Sequence, residues 1–479
     1  MSYVRRRPDQ TVLYRVVREH AERLFEQARE RSASGYGYPA HVENEFRRYL
    51  ECGILSHGFV RVHCAGCGRD EVVAFSCKGR AVCPSCVGRR MADTAARLVD
   101  ERLPEAGYRQ WVFSFPYRLR VALASDGALW SEVLRACVRK VFAFQRKRAR
   151  ARGVKKGKSL GLCFAQRFGS LLQLNPHGHA VVPDAVWSDD GGGALAACAL
   201  EAPTEPELQA VALQIVKAVL RVVRRAAERA DDEDDDAAAM WTTLAEAAAA
   251  TAGPRARSSE GRRTRLAAQI QTELGVFSIH AGTSVRAGDR AGLERLLRYG
   301  ARPALAHRRL SVTASGKVCY RLRKPYYTGQ TEVVLEPVAF LRRLAALVPP
   351  ARQHQVRYYG LLSSQARDRE RLAELVPGAA SDDDDAAGDE RDADDVTHRG
   401  RASPAYRVRW AKLLARVFRH QVLCCPHCGA RRAIVAAITD RDVATAILSH
   451  LGLPTDAPEL APARAPPQTE MFGDERAGA

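Results

Sequence analysis

Two cysteine pairs, Cys64-x2-Cys67 and Cys83-x2-Cys86, constrain this chain more than any other feature of its 479 residues. Four thiolates on two tight turns, 15 residues apart, can close a tetrahedral zinc site that fixes the local fold. Cys67-Gly68 and Cys83-Pro84 suit the turns, and the spacer segments EVVAF and SCKGR suit a short hairpin. Cys52 and Cys77 are surplus thiols, and either could replace one of the four. Farther along, Cys425-x2-Cys428 in LCCPHCGARR is half of a second zinc site, with Cys424, His420, His427 and His450 as candidate partners. Cys137, Cys163, Cys198 and Cys319 are scattered and read as small core residues.

The metal reading requires reduced thiols. MSYVRRRPDQTVLYRVVREH has no apolar core of the kind a secretory signal needs, and no stretch of 18 uncharged apolar residues exists. A cytoplasmic protein with no membrane partner is therefore expected. The net charge is +19, with six acids in 231–236 and nine acids with one arginine in 382–395. Without those two runs the remainder carries +33, which points to a polyanion and most often to nucleic acid.

Periodicity supplies the intermediate structure. Residues 9–31 have a helical repeat, and an Ala/Arg-rich helix is expected from about 88 to 103. QWVFSFP alternates Trp111, Phe113 and Phe115 on one face and ends at Pro116. A helix over about 127–151 precedes strands at 160–168 and 170–182. Thr204-x-x-Glu207 is a capping box that opens another helix. VFSIHA reads as a strand, followed by a helix from Asp289 to Tyr299, then strands in VCYRLR and TEVVLE.

Within LNPHGHAVV, His177 and His179 are two apart, so on a strand their imidazoles share a face. Such a pair with one further polar ligand can hold a divalent cation. Tyr299 lies at the edge of a helix whose apolar face is Leu293, Leu296 and Leu297, with Arg298 and Arg302 nearby. In a basic chain that phenol could attack a phosphodiester in line. RKRARARGVKKGK (146–158) has eight cations and no acid: Arg146, Lys147, Arg148, Arg150, Arg152, Lys155, Lys156 and Lys158. These, with Arg298 and Arg302, are candidate DNA contacts. Tyr326-Tyr327 and Tyr358-Tyr359 could stack on single-stranded bases or pack in a core.

These blocks in this order resemble the HUH-class rolling-circle transposases of insertion sequence ninety-one and its relatives. The resemblance spans roughly 45–225, 275–370 and 404–455 and rests on six segments. They are CGILSHGFVRVHCAGCG, FSCKGRAVCPSCVGRRMADTAARLV, RQWVFSFPYRLR, QRFGSLLQLNPHGHAVV, LERLLRYGARP and YYTGQTEVVLEPVAFLRRLAALVPP. It implies that His177 and His179 bind the catalytic Mg²⁺ or Mn²⁺, that Tyr299 is the nucleophile, and that Cys64, Cys67, Cys83 and Cys86 hold structural Zn²⁺. Gln173 and His280 are the candidates for a third ligand. The implied activity is nicking and rejoining of single-stranded DNA at element ends through a covalent 5′-phosphotyrosine, in a bacterial, nucleoid-associated protein. Two departures are visible: Gly178 stands where the family carries a bulky apolar residue, and Arg295 stands where two-tyrosine members carry a second tyrosine. A catalytically decayed, zinc-dependent DNA-binding protein is the alternative.

The expected fold is α+β. An N-terminal zinc ribbon with helices (1–105) precedes a catalytic domain (106–376) with an antiparallel sheet and helices packed on one side. A low-complexity insertion at 231–262, an acidic linker at 377–403, a small C-terminal helical, zinc-knuckle-like module at 404–455 and a disordered tail at 456–479 complete the expected organisation.

Overall fold

The computed structural model describes residues 6–32, 35–189, 191, 193–230, 266–326, 328–377 and 424–462. The expected insertion at 231–262, the linker beyond residue 377, His420 and Tyr327 lie outside the described residues.

Thr11 caps the first helix, α1 (Val12–Arg31), its hydroxyl accepting from the Tyr14 N–H. The second, α2 (Ala40–Glu51), packs back on it through a tilted Tyr14–Tyr49 and an edge-on Phe25–Phe46 ring pair. A hairpin follows, β1 (Phe59–His63) and β2 (Asp70–Ala74), then α3 (Pro84–Glu101), which starts on Pro84. EVVA therefore pairs with FVRVH and not with SCKGR, so the Cys64 turn lies at the hairpin tip and Cys83 beyond it.

β3 (Tyr108–Ser114) leads through α4 (Arg120–Ser125) into α5 (Gly127–Ala151), which Asp126 caps. β4 (Leu160–Phe168) and β5 (Leu174–Pro183) come next, then the hairpin β6 (Ala185–Asp189) and β7 (Leu195–Ala199). α6 (Glu205–Ala230) begins at the expected capping box, Glu207 N–H donating to Thr204 Oγ1 and Thr204 N–H to Glu207 Oε2. β8 (Ala267–Thr272) and β9 (Gly275–Val285) precede α7 (Arg290–Gly300), whose cap is Asp289. A three-stranded sheet of β10 (Leu310–Val312), β11 (Val318–Arg321) and β12 (Glu332–Leu335) runs into α8 (Pro337–Leu347). β13 (Val356–Gly360), α9 (Arg369–Ala373), β14 (Ala433–Ile438) and α10 (Arg441–His450) complete the order.

The central sheet is antiparallel with strand order β13-β4-β5-β3-β9-β8, so the strand that carries the histidines is flanked on both sides. Alternation divides it into two faces. Trp111, Phe113, Cys163, Ala180 and Ile279 point towards α5 and α6, where Trp130, Val133, Leu134 and Ile215 meet them. Burial of each large side chain there contributes ~1.5–3 kcal/mol. Tyr108, Leu162, Phe164 and Val181 point the other way, to Leu293, Leu296 and Leu297 of α7 and to Ala95, Leu98 and Val99 of α3. Helices thus cover both faces rather than the one expected. Both sides of β4 and β5 are apolar, and α3 supplies the second cover.

α1 and α2 share a core with α8 and the β10–β12 sheet. The C-terminal segment does not stand apart either: β14 adds to the hairpin in the order β14-β1-β2, and Ala444 and Leu448 of α10 pack on Leu55, Phe59 and Val72. The start of the expected tail has a defined path, with Ala461 N–H donating to Arg18 O at 3.2 Å. Among the described residues no helix is long and apolar enough to cross a membrane.

Candidate active site and zinc centres

The cysteines form two groups whose membership differs from the expected closed site and half-site. Cys52, Cys77, Cys83 and Cys86 are one, and Cys64, Cys67, Cys425 and Cys428 the other, each with its sulfurs within 4.8 Å of one another. In the first, Cys52–Cys86, Cys77–Cys86 and Cys52–Cys83 lie at 3.6, 3.5 and 3.7 Å. In the second, Cys64–Cys428 and Cys67–Cys425 lie at 3.5 and 3.6 Å. A tetrahedron with 2.3 Å Zn–S bonds has edges of about 3.8 Å, so both donor sets fit zinc. The single site of Cys64, Cys67, Cys83 and Cys86 fails because the β1–β2 hairpin carries the Cys64 turn away from Cys83. Cys425 and Cys428 are completed by Cys64 and Cys67, not by Cys424, His427 or His450. β14 pairing to β1 brings the two knuckles together, and Arg432 pairs with Glu71 across the join.

The Arg6 guanidinium donates to Cys52 Sγ at 3.1 Å. Hydrogen bonding from Cys77, Cys83 and Cys86, with Arg6 close by, holds Cys52 well below the usual thiol range.

β5 places His177 and His179 on the α7 face of the sheet. Their ring centroids are 4.8 Å apart, and the His179 ring stands edge-on to Tyr299 at 5.6 Å. His177 Nδ1–H donates to Asn175 O at 2.7 Å, which leaves its Nε2 for a ligand. His179 is buried, and neither of its ring nitrogens has a partner. Burial pushes His177 down to about 4, and burial followed by the His177 and Arg302 charges pushes His179 down to about 2. Both rings are therefore neutral near pH 7, the state a metal requires.

Sequence reasoning missed Gln166. It lies directly opposite His177 in the β4–β5 register, on the same face. Its Nε2 donates to the Tyr299 and Gly300 carbonyls at 3.0 and 2.7 Å, tying the end of α7 to the sheet. Its buried Oε1 has no partner. His177 Nε2, one ring nitrogen of His179 and the orphaned Gln166 amide oxygen form a donor set that fits a divalent cation with open positions. Only the register reveals it. Gly300 permits the approach, since a Cβ there would meet Phe164 Cδ2 at 2.4 Å.

The two expected third ligands are not brought to the pair. Gln173 lies in the turn before β5, where its Oε1 accepts from Leu171 N–H at 2.9 Å. His280 shares the face but sits on β9, with β3 intervening, and its Nε2 is 2.8 Å from Ser278 Oγ. Among the described residues, only the two cysteine sets gather three or more His, Cys, Asp or Glu ligand atoms.

Tyr299 is 40 % exposed, with the Arg302 guanidinium 4.8 Å from its ring centroid and 4.9 Å from that of Phe168. Arg298 pairs with Glu294, and Arg295 with Asp289. The basic segment 146–158 stands elsewhere. Gln145 donates to Pro183 O at the end of β5 remote from His177, Arg148 and Arg152 engage Glu207 and Glu201, and Lys158 pairs with Asp368. Tyr358 is exposed on β13, and Tyr359 packs towards α5.

Comparison with known proteins agrees with this architecture. A family model described as "Putative transposase" matches residues 161–370, which span β4 to α9 and contain Gln166, the histidine pair and Tyr299. A second, "Transposase zinc-binding domain", matches 17–115, which contain Cys52 to Cys86. Cys425 and Cys428 fall outside both. No curated protein and no solved structure matches the chain. Both transposase models occur in the order its sequence blocks follow, and they match the resemblance to the insertion sequence ninety-one family of transposases.

Proposed function

We propose that the protein cuts and rejoins single-stranded DNA at element ends, with Tyr299 as the nucleophile. The observation that carries this reading is the convergence of two buried, neutral histidines and an accessible tyrosine on one face of the sheet. His177, His179 and Gln166 would hold Mg²⁺ or Mn²⁺, which supplies Lewis-acid polarisation of the scissile phosphate when bound. The Tyr299 Oη forms a bond to phosphorus and releases its proton to solvent. The bond from phosphorus to the 3′ oxygen breaks, and that oxygen takes up a proton. The products are a 5′-phosphotyrosine and a free 3′-hydroxyl, and reversal with a second 3′-hydroxyl rejoins the strand.

Arg302 keeps a positive charge against the Tyr299 ring, where negative charge gathers as the phenol ionises. Gln166 holds the end of α7 at a fixed height above the histidines. The cations of 146–158 would follow the DNA backbone at a second surface. Zinc keeps its structural role at the two cysteine sets. In the cell, the protein would work at the nucleoid.

The experiment is incubation of labelled single-stranded element-end DNA with the protein and Mn²⁺, followed by a denaturing gel. A shifted covalent band that Tyr299→Phe abolishes is expected. A band that survives Tyr299→Phe would remove the nucleophile assignment, and no cleavage by zinc-loaded wild type would favour a decayed DNA-binding protein.

A further inference from the structure

We infer that the cleft between α3, β4 and the C-terminal end of α7 binds a backbone phosphate of the DNA strand, next to the scissile one. The inference rests on the nuclease reading above and adds a subsite to it. The cleft, of ≈ 80 Å³, is lined by Arg80, Arg90, Arg167 and Arg302, and no Asp or Glu lines it. The four are half-buried, and cations withdrawn from solvent are ordinarily paired with carboxylates. Here the hydrogen bonds go to backbone carbonyls instead. Arg80 donates to Pro350 and Gln353, Arg90 to Lys78 and Gly79, and Arg167 to Ala124 and Ala346. Glu45 accepts from the Arg80 backbone N–H but does not line the cleft.

The side-chain Nε atoms of Arg167 and Arg302 are buried without a partner. Four guanidinium groups converge on one cleft with no carboxylate among them, and their planar donors match phosphate oxygens.

Position argues for the DNA backbone over a free ion. Arg302 reaches from the cleft to the Tyr299 ring, and Gln166 lines the cleft while facing His177. A strand whose scissile phosphate lies at Tyr299 would set a neighbouring phosphate here, against the apolar wall of Val87, Met91 and Phe168. The zinc domain also takes part. Arg80 lies between Cys77 and Cys83, and Arg90 follows Cys86 on α3, so the first cysteine set positions two of the four guanidinium groups.

The test uses zinc-loaded, full-length protein carrying Tyr299→Phe, so that binding is read without cleavage or Mn²⁺. A short fluorescein-labelled oligothymidylate is titrated by polarisation at several salt concentrations, with inorganic phosphate as competitor. Arg90→Gln and Arg167→Gln should each weaken binding about 10- to 100-fold and lower the salt slope by about one. Inorganic phosphate should displace the oligonucleotide from the parent and lose that effect in the variants. Arg90→Gln, at a half-buried helical position, covers the case in which Arg167→Gln does not fold.

Unchanged affinity and slope in a variant with parental zinc content and melting temperature would overturn the inference. Phosphate binding that the substitutions abolish while oligonucleotide affinity stays constant would assign the cleft to a free phosphate, and would overturn it too. Failure of Mn²⁺-dependent cleavage by the wild-type protein, with this binding intact, would sink the nuclease reading alone.

Discussion

A Cβ on Gly178 would stand 2.6 Å from Leu134 Cδ2 of α5, on the face of β5 opposite the histidine rings. The glycine between the histidines is thus a packing solution: Leu134 fills the space that a bulky residue would occupy. The departure from the family pattern has a compensating partner on another element.

Gly178→Val should therefore overpack this core and cost about 1–3 kcal/mol. Leu134→Ala should cost about 2–5 kcal/mol alone, and the double variant should recover part of both losses. Urea denaturation of all four proteins measures the coupling. Strict additivity would show that Leu134 is not what the glycine accommodates.

The two cysteine sets predict two zinc ions per chain. Cys428→Ser should remove one ion and leave the other, and Cys52→Ser should do the reverse. Zinc content by mass spectrometry after gel filtration decides it. A single site built from Cys64, Cys67, Cys83 and Cys86 would leave zinc unchanged in both variants.

Gln166 has two tasks that substitution can separate. Gln166→Ala strips donors from the carbonyls of Tyr299 and Gly300 and should cost about 1–3 kcal/mol of stability. It should also weaken Mn²⁺ binding. Gln166→Glu keeps the acceptor oxygen and loses the amide donors, so it should retain Mn²⁺ while still melting early. Calorimetry and Mn²⁺ electron paramagnetic resonance on the Tyr299→Phe background read the two effects, and unaltered Mn²⁺ binding in Gln166→Ala would exclude it as a ligand.

Acid separates the buried histidines from exposed ones. With His177 at about 4 and His179 at about 2, protons do not compete for the ring nitrogens until well below 6.5. Mn²⁺ affinity should stay nearly flat between about pH 7.5 and 5.5, where an exposed pair titrating at ~6.5 would lose about 100-fold. The same shifts bear on stability. The unfolded chain takes up protons near 6.5 that the fold refuses, so the metal-free protein loses stability as pH falls from 6.5 towards 4. A steep loss of Mn²⁺ binding already at about pH 6 would show that the pair is solvated.

Much of the site was legible from residues close together in the chain. Two histidines at i and i+2 share a face of any strand, and Asp289 and Thr204 announce their helices through contacts within one turn. The β3 alternation and the α7 leucine stripe follow from the same short-range geometry. Gln166 was not legible, because it faces His177 only through the β4–β5 register, and nothing local fixes that register.

The sequence by itself determined the kinds of parts: thiolate knuckles, a histidine strand, a tyrosine helix and a basic charge excess. Each depends on spacing along a few residues, which helix and strand geometry convert directly into shared faces. Only the tertiary structure decided which parts meet. Cys64 finds Cys428 from 364 residues away because β14 adds to β1, and Arg80 and Arg90 reach Arg167 because α3 packs on the sheet. Those pairings depend on strand register and apolar packing between distant segments, and no local spacing encodes them.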